Sequence, residues 1–401
     1  MKKARTGRWL AAAFRPSLVF VGASAFVVGL LWFQLHSLLP GFSEPEMVAQ
    51  GGSATFKALL NNPLWLPHKV LQFGFQYFDH HGPLAMRSVS VLFGLIVVWA
   101  FYYVMSSWFS RRVAFLGTFL FMTSSWFLFT ARLGTPAITY TLLFVSIACA
   151  VWLQSSRAST LSVLASALLV LSLLYIPGLI WFVIPALIWQ SQRVIRFLSR
   201  QPPLLLVLLT LGSLVALTPL AYGFYRDPHL IRTYLGLPEH FKPLLEMLKD
   251  MARVPLQIFI RSPHNPVLWL GTLPLLGWFG TIMFIIGLYA YLTKYGLDRT
   301  WLIVYVGVLG TVLVGLGGPV SVSILLPFVY LVIASGMTFL LKQWFTVFPL
   351  NPVARTIGAS LMTIAVLMAS YYHVTRYFIA WPNTPETRQA FQVKEEKPTL
   401  R

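Results

Sequence analysis

Apolar residues run in blocks of about 20 along the whole chain, separated by short polar connections. The blocks lie near residues 17–39, 88–109, 113–130, 138–154, 161–175, 178–190, 203–223, 268–292, 300–318, 322–341 and 357–378. A helix rises 1.5 Å per residue, so about 20 apolar residues cross a hydrocarbon core about 30 Å thick. The pattern predicts an all-α polytopic membrane protein with about 11 transmembrane helices in one integral membrane domain, residues 1–401. Pro177-Gly178 marks a tight turn between two short blocks. Two stretches break the rhythm: a first loop at 40–87 and a second at 224–267. Loops of that length are usually functional. In the first, Phe56, Leu59, Leu60, Val70, Leu71, Phe73, Phe75, Tyr77 and Phe78 alternate with polar residues, which predicts short helices lying in the membrane interface.

Composition agrees with this reading. Hydrophobic residues make up 57% of the 401 and charged residues 10%, with a mean hydropathy of +0.73. Soluble proteins carry roughly 25% charged residues, so a soluble enzyme with a single anchor is excluded. The net charge of +19 comes from 30 Lys and Arg against 11 acids. The bases sit mostly in short connections, where they act as topology signals and headgroup contacts rather than as a nucleic-acid face. The basic N-terminus, MKKARTGRWLAAAFR, predicts a cytoplasmic start; an odd number of spans then places the tail, 379–401, outside the cytoplasm. Ala23-Ser24-Ala25 resembles a signal-peptidase site, but the apolar run continues past it, as in an uncleaved first helix. Every acid except Asp298 falls in the loops or tail on the outer side, and all eight histidines lie there or at the outer ends of spans. Chemistry is therefore expected on the outer face. Cys149 stands alone, which excludes an intrachain disulfide and a cysteine-rich metal site.

The sharpest chemical signal is Pro40-Gly41-Phe42-Ser43-Glu44-Pro45-Glu46, directly after the first span. Two carboxylates at the mouth of a helix bundle suit a general base whose pKa rises with desolvation. They equally suit a solvated turn that stops a helix. Downstream stand His68, Lys69, Asp79, His80, His81 and Arg87. Asp-His-His is half of a metal site that no further close-spaced ligand completes, so no metal is assigned, although the acids leave a divalent ion open. Lys69 and Arg87 can hold a phosphate at headgroup depth or snorkel to lipid. Arg132 is the lone charge of a tight outer turn facing the first loop. In the second loop Tyr225, Arg226 and their charged neighbours form either a substrate-facing wall or a solvated cap. The span interiors carry no Asp, Glu, Lys or Arg in this reading, which disfavours an ion-coupled transporter.

The order of several segments resembles the GT-C membrane glycosyltransferases, in the bacterial branch related to protein O-mannosyltransferases and the lipid A aminoarabinose transferase. The matching pieces are LPGFSEPEMVAQ, NNPLWLPHKVLQFGFQYFDHHGPLAMRSVSVLFG, FMTSSWFLFTARLGTPAITYTLLF, LLYIPGLIWFVIPALIW and RYFIAWPNTPE. The resemblance implies a GT-C-like fold in the plasma membrane and inverting transfer of a sugar from a polyprenyl-phosphate donor, without a cofactor. The acceptor is a hydroxyl of a glycan, lipid or protein. It implies Glu46 or Glu44 as the catalytic base. It also implies Lys69, Arg87 and Arg132 at the donor phosphate, with His68, His80, His81, Tyr225 and Arg226 lining the substrate. The family's adjacent Asp-Glu is here Glu44-Pro45-Glu46, with Pro45 where the aspartate stands. A non-catalytic scaffold of the same fold and a lipid-linked glycan flippase are the alternatives.

Overall fold

A computed structural model describes residues 16–39, 41–78, 82–153, 160–199, 201–293 and 297–391. The chain is helical, with no strand among the described residues. After α1 (Pro16–Trp32) come three short helices, α2 (Glu44–Ser53), α3 (Phe56–Asn61) and α4 (Leu66–Phe78). Beyond them lie α5 (Pro83–Trp108), α6 (Arg111–Thr123), α7 (Ser125–Arg132) and, past a 3-10 turn at Pro136–Thr141, α8 (Leu142–Leu153). Next are α9 (Thr160–Leu174), α10 (Ile180–Trp189), α11 (Ser191–Leu198), α12 (Pro203–Arg226), α13 (Leu230–Tyr234) and α14 (Leu244–Phe259). The series closes with α15 (Trp278–Thr293), α16 (Leu297–Gly315), α17 (Leu326–Val347), α18 (Pro352–Thr375) and α19 (Pro385–Ala390).

Burial separates the long helices into two kinds. α5 and α17 are buried along most of their length and form the centre. α12 turns Leu204, Val207, Leu208, Leu211, Leu214 and Val215 outward. A helix apolar on its exposed face needs lipid around it. This is a multi-pass membrane protein.

Six described helical stretches are long and apolar enough to span, or seven if the bent pair α6–α7 is one span. Four more apolar helices fall where spans were expected but run only 10–17 residues: Gly22–Trp32, Ser162–Leu174, Ile180–Trp189 and Trp278–Thr293. At 1.5 Å per residue, the ten residues of α10 reach only about 15 Å. The described residues thus do not by themselves confirm the expected count of about 11 spans. The predicted block at 268–292 shortens most, because Pro266, Gly271 and Pro274 keep the chain irregular until Trp278. The predicted loop at 40–87 shortens too. Pro83 sits in the first turn of α5 and starts that helix early, so Arg87 is a helical residue and not a loop residue.

Two local features stand out, and the first sets the position of a candidate functional side chain. α6 and α7 meet at 59° around Ser124. The Ser124 side chain accepts the Phe127 N–H at 3.2 Å, starting a new helix where the old one ends. The bend swings α7 sideways and carries Arg132 under the end of α1. The second feature is the crossing of α15 and α17. A Cβ on Gly287 would sit 1.9 Å from the Val332 carbonyl oxygen, and one on Gly336 2.0 Å from that of Met283. Glycine at both positions lets two backbones touch, as small residues do at membrane helix interfaces.

Candidate functional site

The site grows from the first turn of α2. Ser43 is the N-cap, and Glu44 and Glu46 come next in that turn. Residues two apart on a helix point about 200° from each other, so the two carboxylates face opposite ways. Glu44 is exposed. Glu46 is 0% exposed and turns inward.

There its two oxygens accept five hydrogen bonds. Oε1 receives Arg87 Nε at 2.9 Å and the Gly134 N–H at 2.9 Å. Oε2 receives the Ser43 N–H at 3.0 Å, the Ser43 hydroxyl at 3.0 Å and Arg87 Nη2 at 3.1 Å. A carboxylate has about four lone-pair positions, so none is left over. Burial pushes this carboxyl up, but the Arg87 charge and the bonds from Arg87, Ser43 and Gly134 outweigh it and hold the group below its ordinary range.

Arg87 is equally saturated. Besides Glu46 it donates from Nη1 to the carbonyls of Leu35 at 3.2 Å and Leu39 at 2.7 Å, and from Nη2 to that of Gly41 at 2.7 Å. Its five N–H groups are all spent. The pair is a clasp that ties together the end of α1, the start of α2, α5 and the turn after α7. The base role expected of Glu46 and the phosphate role expected of Arg87 both run against this saturation.

Arg132 differs in one decisive respect. It is 2% exposed, and Nη2 donates to the Phe33 carbonyl. Among the described residues its Nε and Nη1 have no hydrogen-bond partner. The guanidinium lies over the rings of Tyr377 at 5.1 Å and Phe378 at 4.6 Å. It borders a slot walled by Leu35, Leu38, Leu39 and Leu133 and closed by Tyr377, Trp381 and Phe391, with open space of about 10 Å³. That holds about one water.

Beside the clasp, α4 lays a polar row against α5 and the α7 turn. Lys69 is buried and donates to the Asn62 carbonyl at 2.7 Å; among the described residues no carboxylate pairs with it, and burial pushes its pKa down to about 8. Gln72 donates to the Gly134 carbonyl at 2.8 Å, bracing the loop whose N–H reaches Glu46. His68 is fully buried, meets Ser90 Oγ at 3.1 Å and stacks on Phe93. Burial and the Lys69 charge push it down to about 3, which makes it a neutral packing residue and not an accessible substrate ligand. Tyr225 is exposed at the end of α12, and Arg226 lies over the Tyr222 ring at 5.6 Å; among the described residues no contact joins either to this cluster. His80 and His81, with Asp79, lie outside the described residues. No group of three His, Cys, Asp or Glu among the described residues is arranged to hold a metal.

The structure therefore joins Glu46 to Arg87 and sets Arg87 and Arg132 on one slot; Lys69 lies on α4, which reaches this cluster through Gln72, Glu44 is exposed, and Tyr225 and Arg226 stay apart. Ser43, Gly134, Gln72, Tyr377, Trp381 and Phe391 belong to the site without having been expected there. Ser43-Glu44-Pro45-Glu46 is an S-x-x-E capping pattern, the signal that points Glu46 back at Ser43. Tyr377 and Trp381 fall within RYFIAWPNTPE, a segment that carries the resemblance, whereas Phe391 carries no comparable signal.

No family model matches the chain, and no curated protein does. Among solved structures it is similar to ArnT from Cupriavidus metallidurans in the apo state. The TM-score is 0.55 and the identity 12%, over 94% of this chain and 78% of that one. The fold is ArnT-like.

Proposed function

We propose that the protein is a membrane glycosyltransferase that takes its sugar from a polyprenyl-phosphate donor and passes it, with inversion, to an acceptor hydroxyl on the extracytoplasmic face of the plasma membrane. The observation that carries this reading is Arg132. A buried guanidinium with no carboxylate among the described residues, holding two unpartnered nitrogens (three N–H groups) at the end of a leucine-walled slot, is suited to the phosphate of an amphiphile whose chain lies along the leucines. The likeness of the fold to ArnT, a lipid A aminoarabinose transferase, supports the same class of reaction.

In this reading Glu44 is the base. Its carboxylate is exposed and takes no part in the clasp, so it is open to an incoming acceptor. It takes the acceptor O–H proton; the acceptor oxygen forms a bond to the anomeric carbon as the bond from that carbon to the phosphate oxygen breaks. The lipid phosphate leaves with the electron pair, and Arg132 and Lys69 stabilise its charge. Glu46 and Arg87 hold the geometry. The acceptor is a glycan, lipid or protein, the N-terminus is cytoplasmic and the C-terminus extracytoplasmic.

A second reading, a non-catalytic scaffold of the same fold, is favoured by one observation: aromatic side chains fill the slot. Mass spectrometry of envelope glycans and glycolipids separates the two. Cells lacking the gene are complemented with wild type, Glu44→Gln or Arg132→Met. The transferase reading expects a glycosylated species that disappears on deletion and returns only with wild type. Full restoration by both stably inserted variants refutes it and leaves the scaffold.

A further inference from the structure

The slot is closed by one continuous piece of chain. α18 ends in a π-helical turn, Arg376–Ala380, followed by a 3-10 turn, Trp381–Asn383, and then by α19 and Phe391. Regular helix pairing is thus interrupted twice between α18 and α19, and Pro382 removes a further backbone donor. Beyond this interruption α19 brings Phe391, 2% exposed, over the Arg87 guanidinium at 5.7 Å and edge-on to Trp381 at 5.7 Å. Phe391 therefore lies on the slot that Arg132 borders.

Among the described residues few polar links hold α19 to the body. Thr387 Oγ1 donates to the Pro266 carbonyl at 3.2 Å, an acceptor shared with Trp381 Nε1 at 2.9 Å. His264 Nε2 meets Glu386 Oε2 at 3.3 Å in an exposed contact. The two Arg388 bonds, to the Pro382 carbonyl and to Asn383, stay within the turn itself. An element with one buried polar tether and one exposed ion pair is among the first parts of a fold to open. Trp381, by contrast, is wedged against Phe129 and Tyr377 in the core.

We propose that α19 with Phe391 is a removable plug hinged at Trp381–Thr384. Closed, it fills the slot and leaves Arg132 with two nitrogens, Nε and Nη1, unpartnered among the described residues. Open, it admits the phosphate head of a prenyl phosphate, which satisfies those donors. The closed form is the resting state, so the site is kept from other headgroup anions until an amphiphile displaces Phe391. This inference rests on the reading of the slot as a prenyl-phosphate site.

Its test uses the full chain with Cys149→Ser and Thr387→Cys, in nanodiscs, treated with a membrane-impermeant maleimide. Thr387 is 1% exposed in the closed form, so labelling is slow. Decaprenyl phosphate raises the labelling rate at least tenfold, and inorganic phosphate does not. In parallel, native mass spectrometry measures decaprenyl phosphate binding to wild type and to Phe391→Ala, which binds at least fivefold more tightly. Binding to Phe391→Ala alone also supports the plug. If wild type binds the lipid while labelling and the Phe391→Ala affinity stay unchanged, the plug is wrong and the phosphate site stands. If neither protein binds, both fall. An equal labelling response to inorganic phosphate overturns the lipid as the trigger.

Discussion

Glu46→Gln tests whether the clasp is architecture or catalytic machinery. The substitution keeps shape and removes one charge, and the hydrogen bonds around the carboxylate determine the cost. If the amide nitrogen takes the Oε1 position it faces two donors, Arg87 Nε and the Gly134 N–H. If it takes the Oε2 position it faces three, the N–H and hydroxyl of Ser43 and Arg87 Nη2. Either way donor meets donor in a dry site, and the Arg87 charge loses its counterion. Removing one partner of a buried ion pair costs about 3–5 kcal/mol. Leaving two buried donors unpaired at about 1–3 kcal/mol each gives the same range. Glu44→Gln touches no such bond and should stay within about 0.5 kcal/mol of wild type. The assay is intrinsic tryptophan fluorescence in detergent on a temperature ramp, with equilibrium unfolding in a denaturing detergent for the free energies. A Glu46→Gln protein as stable as wild type refutes the clasp and returns Glu46 to candidacy as the base. A Glu44→Gln protein that loses several kcal/mol refutes the division of roles from the other side.

Lys69 has its pKa pushed down to about 8 by burial, while a prenyl phosphate monoester is already dianionic there, its second pKa being about 6. Affinity for decaprenyl phosphate should fall as pH rises through about 8, and Lys69→Gln should remove that step; a flat wild-type profile between pH 7 and 9.5 sinks the assignment. The same depressed pKa means the unfolded chain binds the proton more readily, so stability should rise between about pH 8 and 10.5 in wild type and not in Lys69→Gln. His68 lies at about 3 against an ordinary 6.5, so the unfolded chain takes up the proton first and stability should fall as pH drops from about 6.5 toward 3. The Glu46 contribution, held below 4.5, is present above that value and is lost only at the acid end, as pH falls through the folded-state pKa; melting temperature against pH for wild type and His68→Gln separates the two. Gly287→Ala drives a methyl into the Val332 carbonyl, and overpacking of this kind costs about 1–3 kcal/mol or more. Its melting temperature should drop, whereas Gly22→Ala, with nothing within 4 Å, should leave it unchanged.

Much of the fold was legible because hydrophobic periodicity is a property of single segments. Every predicted apolar block contains a described helix, and the two long loops hold the short helices α2 to α4 and α13 to α14. The lengths of the helices were less legible. Block length counts apolar residues, whereas crossing needs helical residues, and Pro266, Gly271 and Pro274 give a long apolar block only a short helix. The candidate site was legible in part as a neighbourhood: Glu46 pairs with Arg87, and Arg87 and Arg132 line one slot. The roles within it were not, since they depend on which carbonyls happen to lie beside each side chain. The cover that Phe391 adds was invisible for another reason, being contributed by a residue more than 250 positions beyond Arg132 in sequence.

Arg87 and Arg132 make the dependence of role on neighbouring carbonyls measurable. Both guanidiniums are buried at the same mouth and both lie against aromatic rings. What separates them is the supply of acceptors. Five surround Arg87, from Glu46 and three carbonyls, while Arg132 donates to one carbonyl. Lysine keeps the charge but offers three donors on a flexible stem in place of a planar fork. At position 87 it must leave at least two of the five acceptor contacts unmade, so Arg87→Lys should lose about 2 kcal/mol or more, at about 1 kcal/mol per contact. At position 132 three donors exceed what the fold itself uses, so Arg132→Lys should melt close to wild type while binding decaprenyl phosphate at least several-fold more weakly, having lost the fork. If Arg132→Lys instead destabilises as Arg87→Lys does, Arg132 is a second structural clasp, and the reading of the slot as a phosphate site loses the observation it stands on.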